Sequence, residues 1–478
     1  MSQPPPTPQG PPPYARFTPP DPTPSPGGPG RRPGRRALVA GGVVAVLLGL
    51  GASLWPTSGS DKPARQEAAD AKPKPSPTTT STRAAVGWQV PTPAVGAGPT
   101  ARIQSGDGSW MTPTTYVVGT PDAVTSYKRD TGERAWSIPL SGNICGASRT
   151  QNGAGQVAVA WAREKELRAH CTEFGVVDLA TGRFVWRTSL PRENATPGLR
   201  ISVAVTNDVA AVGWPGDGAP GASAGFTVGT GERIWTAPAK GCTSEAHAGG
   251  KELLTLSLCG QKFKVGTRDP RTGAMTWRYT APPSTKDAWI ASSSPLVVAL
   301  SASDSEPGDE RLVSVSDQGR ELATWKTTAK KYTTGCTYTS ADCGAVITTP
   351  TTLFLATRNG AGSNSVEAYD VRTGARTWKY SAGDDRTLVP LHTEGQDLIV
   401  SLLPRVLQGS RLLRLGPDGS AKLLMRMADE VTPSDDQMVD DKLRAKSYYR
   451  DGVLYMHHPG AYEFWGGPMV MTLTTDAG

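Results

Sequence analysis

Two patterns of apolar and polar positions divide the chain. Residues 37–55, ALVAGGVVAVLLGLGASLW, form one apolar run without a charge. From residue 86 onward, short strand-like segments replace it, separated by clusters of turn-forming residues. Ala368-Tyr369-Asp370-Val371-Arg372-Thr373-Gly374-Ala375-Arg376-Thr377-Trp378 is the clearest copy. It reads as strand, tight turn, strand. Asp370 and Thr373 can hydrogen-bond the turn backbone, Gly374 can take φ > 0 at no steric cost, and Trp378 offers a large ring to a buried surface.

The copy recurs. Aligned on the Trp that ends it, the series is Trp136, Trp186, Trp235, Trp277, Trp325 and Trp378, at spacings of 50, 49, 42, 48 and 53 residues. A period of about 40–50 residues in an all-β chain predicts propeller blades of four strands each. Trp stands at the head of the fourth strand. The glycines Gly132, Gly182, Gly231, Gly273 and Gly374 sit in the turn between the third and fourth. A degenerate copy near Pro417-Asp418-Gly419 has Leu424 in the Trp place. Trp88-Gln89-Val90-Pro91 resembles the fourth strand of other copies but has no turn before it. Residues 447–475 supply about three strands and no fourth. The N-terminal strand therefore completes the last blade and leaves no open sheet edge. The count is eight blades, with seven as the alternative.

The six cysteines fall in consecutive pairs, each within one blade. Locality selects Cys145–Cys171, Cys242–Cys259 and Cys336–Cys343 among the fifteen possible connectivities. Such pairing suits an oxidising exterior.

Composition and charge refine the first 85 residues. Residues 1–36 hold 14 of the 42 prolines and no apolar periodicity, which predicts a disordered tail. At 1.5 Å per residue the run 37–55 reaches roughly 28 Å, one hydrocarbon thickness. Arg31-Arg32-Pro33-Gly34-Arg35-Arg36 precedes it, so the expectation is an uncleaved single-pass transmembrane helix with a cytoplasmic N-terminus and everything after Trp55 exported. A cleaved signal peptide would use Gly51-Ala52-Ser53, and Arg35-Arg36 also has the form of a twin-arginine export signal. A lipoprotein would need a Cys after the run, and the first is Cys145. Residues 56–85 read as a Pro/Ser/Thr linker, and 86–478 as the propeller. The net charge of +7 lies mostly in the tail and linker; the body carries +1, which argues against a nucleic-acid partner.

The pattern A-x-D-x-x-T-G-x-x-x-W at Ala368–Trp378, with partial copies at Tyr127–Trp136, Val176–Trp186 and Thr267–Trp277, resembles the repeat of the pyrroloquinoline-quinone (PQQ)-like β-propellers. The resemblance covers residue 86 to the end. It implies eight four-stranded blades locked by the outer tryptophans. That family includes quinoprotein dehydrogenases, a non-enzymatic lipoprotein of the outer-membrane barrel assembly machinery, and sensor domains of anchored kinases. Quinoprotein alcohol dehydrogenases carry a vicinal Cys-Cys disulfide over the cofactor and a Ca²⁺ site with an Asp base. No Cys-Cys dipeptide and no matching set occur here, so neither PQQ nor Ca²⁺ is expected.

Other motifs carry less. His457-His458 would point to opposite faces of a strand and cannot readily share a metal. Asp435, Asp436, Asp440 and Asp441 make an acidic loop, read as solvated rather than as a Ca²⁺ site. Gly213–Gly225 and Gly360–Gly362 read as connecting loops. Asn194-Ala195-Thr196 has only the form of a glycosylation sequon. Trp110, Trp161, Trp214, Trp289 and Trp465 lie outside the outer-strand series and read mostly as core. No catalytic motif is found. The expectation is a non-catalytic, extracytoplasmic binding or scaffolding module for a protein, peptide or envelope ligand. Its alternatives are a PQQ-dependent oxidoreductase and a sensor of a signalling complex. The Ala/Gly/Pro/Arg-rich style suggests an actinobacterial source.

Overall fold

The computed structural model describes residues 82–92, 103–105, 108–165, 169–190, 201–214, 222–236, 240–302, 310–328, 331–336, 343–358, 363–404, 409–427, 446–462 and 467–475. The tail, the apolar run 37–55 and most of the linker lie outside them. No helix among the described residues is long and apolar enough to cross a membrane.

Eight antiparallel sheets follow one another along the chain. Blade 1 runs from Ser109–Met111 to Arg134–Pro139, blade 2 from Ile144–Ala147 to Arg183–Ser189, and blade 3 from Ser202–Val205 to Arg233–Thr236. Blade 4 runs from Cys242–Ala248 to Met275–Thr280, and blade 5 from Asp287–Ser293 to Glu321–Thr327. Blade 6 runs from Tyr332–Thr333 to Arg376–Ser381, and blade 7 from Arg386–Glu394 to Ala421–Arg426. Blade 8 takes Lys446–Arg450, Val453–His457 and Pro468–Thr475, and its outermost strand is Ala84–Pro91 from the other end of the chain. The expected eight-bladed ring, closed by an N-terminal outer strand, is thus observed.

Sequence pattern explains each blade. The second and third strands are buried on both faces, as in Gln156–Trp161 and Glu173–Asp178, and are rich in Val and Ala. The outermost strands alternate, as in Arg376–Ser381, because only one face meets the next blade. Clusters such as Phe354, Val366, Leu398, Val400 and Leu413 cross the seam between neighbouring blades, so the core is a ring of interfaces.

The turn between third and fourth strands is built by the Asp-x-x-Thr-Gly chemistry. Asp370 Oδ1 accepts from the N–H groups of Arg372 (3.0 Å) and Thr373 (2.8 Å) and from the Thr373 hydroxyl (2.9 Å). Asp269 and Asp178 do the same in their blades. Backbone and hydroxyl donation from Thr373 holds the Asp370 carboxyl below the usual carboxylate range.

The Trp does not pack on its own turn. It packs on the glycine of the next blade. A Cβ would lie 2.5 Å from the Trp88 ring at Gly132, 2.3 Å from Trp136 at Gly182, 2.7 Å from Trp186 at Gly231, and 2.5 Å from Trp235 at Gly273. Trp378 stands over Gly419 in the same way. Two joints add an indole hydrogen bond, Trp88 Nε1 to Arg129 O (3.1 Å) and Trp186 Nε1 to Val228 O (2.6 Å). A β-bulge precedes the Trp in blades 1, 2, 3 and 6, where residues 135, 185, 234 and 377 are skipped in the register. The extra residue bends the strand and aims the ring across the seam.

Two expected places need correction. In blade 5 the residue four after the turn glycine is Ala323, and Ala323, not Trp325, stands over Gly374. Trp325 lies two residues on and buries itself beside Tyr332 and Tyr369 of blade 6. Its strand carries two more residues than the other copies before the Trp, so aligning on the Trp misplaced the joint. At the seam of blades 4 and 5 the Arg278 carbonyl, not the Trp277 ring, stands against Gly319. Gly213–Gly225 is also not simply a loop: Val209–Trp214 and Ala222–Thr227 are the paired second and third strands of blade 3.

The three expected disulfides, Cys145–Cys171, Cys242–Cys259 and Cys336–Cys343, are all formed. Each lies within one blade, 2, 4 and 6 in turn, and Cys242–Cys259 joins the first two strands of blade 4.

The joint makes a testable difference between two glycines. Gly155 and Gly182 both have positive φ, but nothing lies within 4 Å of a Cβ at Gly155. Gly155→Ala should cost about 1 kcal/mol of backbone strain, and Gly182→Ala at least ~2 kcal/mol more, because the indole must move. Urea unfolding of the two variants measures this; equal losses would show that the ring contact carries no energy.

Candidate binding face

An antiparallel meander sends its first and third turns to one end of each sheet and its remaining connections to the other. The two ends differ. First-to-second and third-to-fourth strand turns do not exceed eight residues, apart from blade 6, where the 18 residues 334–351, which include the short strand Ile347–Thr348, separate the first strand from the second. At the other end, connections reach 11 residues at 162–172, 12 at 190–201, 17 at 92–108 and 19 at 427–445. The connection 92–108 contains Ile103–Ser105, which pairs with Gly460–Tyr462 from the connection 458–467 of blade 8 in a small extra sheet.

At that end, between blades 1 and 2, lies an open groove of about 490 Å³. Pro139, Leu140 and Ser141 form one wall, where blade 1 passes into blade 2. Trp161, Arg163, Glu173 and the strand end Arg187–Ser189 form the other. Trp161 is buried and stacks on Phe184 at 5.2 Å, which gives the groove a rigid apolar base. Above it Arg163 Nε donates to Glu173 Oε1 (2.9 Å), and Arg163 Nη2 to Ser189 Oγ (2.9 Å). Ser189 Oγ in turn reaches both Glu173 oxygens at 3.2 Å. The serine sits between an arginine and the carboxylate that the arginine already neutralises. That is a polar clamp with an apolar floor, suited to holding an extended chain rather than to activating a nucleophile.

Two buried polar networks lie elsewhere, one across the seam of blades 3 and 4 and one within blade 6. His247 Nε2 lies 2.7 Å from Ser223 Oγ and its Nδ1 3.1 Å from Thr255 Oγ1. Trp235 stands beside the ring, and the Arg268 guanidinium covers Trp235 at 4.0 Å. Burial, and then the charge of Arg268, pushes the His247 pKa down to about 3. Both ring nitrogens are taken by hydroxyls and the ring is buried, so this serine–histidine contact is a structural one. In blade 6, Glu367 accepts from Tyr332 (2.8 Å) and Tyr369 (2.5 Å), and Arg376 pairs with it at 3.1 Å. Burial opposes its ionisation, yet the two hydroxyls, Lys331 and Arg376 hold its carboxyl below the usual range. Neither network was visible in the sequence, because Ser223, His247 and Thr255, like Tyr332, Glu367 and Arg376, are brought together from different strands at spacings that carry no motif.

The remaining expected positions are placed as follows. Trp110 and Trp289 are buried core residues, and Trp110 Nε1 donates to Ser148 O at 2.9 Å. Trp277 lies on the outer strand of blade 4 with Lys264 over its ring. His457 ends the second strand of blade 8 and His458 follows it, both buried. No group of three or more His, Cys, Asp or Glu that could hold a metal occurs among the described residues. The Trp214 side chain, Trp465, Asn194–Thr196, Gly360–Gly362 and the acidic positions Asp435, Asp436, Asp440 and Asp441 lie outside them.

A ring of eight four-stranded blades, with Trp-on-glycine contacts at five of its seams, defines the class of protein as a PQQ-like β-propeller. The family model described as outer membrane protein assembly factor BamB matches residues 40–249 and, again, 172–380, overlapping as a repeated sequence permits; the chain belongs to that family. A search of curated protein sequences finds no match. Among solved structures, BamB from Moraxella catarrhalis is similar at 14% identity, over 78% of this chain and 98% of that one, with a TM-score of 0.43. A quinohemoprotein alcohol dehydrogenase from Pseudomonas putida HK5 is similar at 11% identity, over 84% and 78%, with a TM-score of 0.46. Saccharomyces cerevisiae Sqt1 is similar at 11% identity, over 83% and 98%, with a TM-score of 0.45.

The buried histidines predict acid lability. Burial also pushes His392 down to about 4, beside the Tyr449 N–H of blade 8. Unfolding lets both rings bind protons at an ordinary pKa of about 6.5. Their contribution is therefore fully present above about pH 6.5 and is lost as pH falls towards their folded values. Each should steepen the decline by about 1.4 kcal/mol per pH unit. Denaturant titrations at stepped pH test this: His247→Gln should flatten the slope between pH 6.5 and 5, where carboxylates contribute little. An unchanged slope would contradict a buried neutral imidazole.

Proposed function

We propose that this chain is a single-pass, membrane-anchored scaffold whose propeller lies outside the cytoplasm and holds a protein or envelope partner without catalysing a reaction. The observation that carries the reading is the unequal length of the connections at the two ends of the blades, with the groove of Trp161, Arg163 and Arg187 on the long-connection end. Loops on a rigid frame are where binding residues concentrate. Membership of a family described as an assembly factor supports a partner that is a protein. The uncharged run 37–55 behind an arginine cluster supports the anchor, and three disulfides support an oxidising compartment.

The reading assigns the ring neither quinone nor Ca²⁺. What supports this is the donor chemistry: all six cysteines are spent in non-adjacent pairs, so no vicinal disulfide can cover a quinone. Incubation of the purified protein with PQQ, Ca²⁺ and a redox dye should give no alcohol- or sugar-dependent reduction, and turnover would overturn the non-catalytic part.

In-cell photocrosslinking tests the binding face. A photoreactive residue placed at Arg187 or Thr188 should yield discrete protein adducts. The same residue at Thr272 or Thr373, on the short-turn end, should yield none. Adducts from the short-turn positions alone would place the partner on the opposite end.

A further inference from the structure

A covalent bond pins one wall of the groove between blades 1 and 2. The connection 162–172 leaves the second strand of blade 2 at Ala162 and returns to the third at Glu173. Backbone contacts hold its start. The Ala162 N–H donates to Asn143 O (2.9 Å), and Ala162 O accepts from Ser141 Oγ (3.1 Å). Gly142 leaves no room for a Cβ beside the Glu164 carbonyl, so the chain there lies directly on the link from blade 1. At the other end Cys171 is bonded to Cys145 of the first strand.

The first strand is shaped for this bond. Its register passes from Ile144–Trp161 to Gly146–Ala160, and Cys145 is the residue left out. Such a bulge takes a residue out of the ladder and re-aims its side chain. Cys171 is buried, and both cysteines pack with Leu190 and Ile201, the first and last residues of the next connection. The Leu190 N–H donates to Thr172 O at 2.6 Å, so the pinned end also carries the end of the outermost strand, beside Ser189.

The polar clamp depends on those ends. Arg163 follows the start of the connection, Glu173 follows its end, and Ser189 is the register partner of Glu173. The Arg163 side chain is 57% exposed. An ion pair so exposed contributes little and is weakened by salt, so it cannot by itself fix an 11-residue connection. A covalent pin can, because it removes alternative paths of the chain before any partner arrives. Among the described residues the other two disulfides do not line the groove. Cys242 and Cys259 already face each other in a hairpin ladder.

We infer, on the reading of the groove as the partner's site, that Cys145–Cys171 is its positioning element: the bond holds Arg163, Glu173 and Ser189 in the geometry that the protein partner meets. Without it the strands of blade 2 stay paired, and the return of the connection loses its anchor.

Two double variants of the full chain separate this role from general stability. Cys145→Ala with Cys171→Val keeps apolar side chains where the sulfur atoms pack. Cys242→Ala with Cys259→Ala removes a bond spanning 17 residues against 26, so its cost through the unfolded chain is similar. In-cell photocrosslinking from a photoreactive residue at Arg187 should lose its protein adducts roughly tenfold in the first variant and keep them in the second. Retained adducts in the first, or equal loss in both, would overturn the inference. Hydrogen exchange on the purified chains needs no partner. The Leu190 amide and residues 169–173 should lose roughly tenfold protection in the first variant alone. Unchanged exchange there would overturn the pin whatever the adducts show. Raised exchange with no adducts from the unaltered chain would remove the groove as the partner's site and leave the pin of the clamp standing. Should the first variant not accumulate, partial reduction and alkylation of the purified unaltered chain supplies the same comparison, with exchange read in molecules alkylated at Cys171.

Discussion

The structure depends on one contact: an indole ring lying on the turn glycine of the following blade. A four-stranded blade cannot bury both of its faces alone. Its stability comes from the seams, and at the outer rim five of them are secured by a Trp that leaves one repeat and docks on the next. The glycine is required twice over there. Its positive φ makes the turn, and its missing side chain admits a ring where a Cβ at Gly182 would come within 2.3 Å. The Asp-x-x-Thr scaffold of the turn fixes the platform, and the bulge before the Trp sets the angle of approach.

A ring built from such contacts has to close. Blade 8 has only three strands of its own, and Ala84–Pro91 supplies both the fourth strand and the final indole, Trp88 on Gly132. Arg129 adds to this last seam, reaching Asp451 at 2.6 Å and the Tyr455 hydroxyl at 3.2 Å. Before pairing with blade 8, the same N-terminal segment touches the outer strand of blade 7 through Thr82 and Arg83. The segment is thus a strap over two seams. It is also the point where the proposed membrane linker enters, so the tether and the closure of the ring share one strand.

Much of this was legible in the sequence because it repeats. The Trp period announced the blades, the orphan strand at Trp88 announced the closure, and the cysteine spacings announced the pairing. What stayed hidden lies between repeats. Nothing at Trp136 reveals that its neighbour is Gly182 rather than Gly132, since a period is silent about which copy touches which. Ala323 was masked by a more conspicuous Trp two residues away. His247 draws Ser223 from the preceding blade, Glu367 gathers Tyr332 and Arg376 from other strands of blade 6, and the groove draws its walls from blades 1 and 2.

The central claim is that indole contacts between blades, and not the sheets alone, hold the ring shut. Native-state hydrogen exchange on Trp88→Ala tests it most directly. The account predicts that protection falls together in Lys446–Arg450, in Pro468–Thr475 and in the blade 1 turn at residues 129–133, while blades 4 and 5 keep theirs. Loss confined to Ala84–Pro91, with blade 8 and the blade 1 turn still protected, would contradict it.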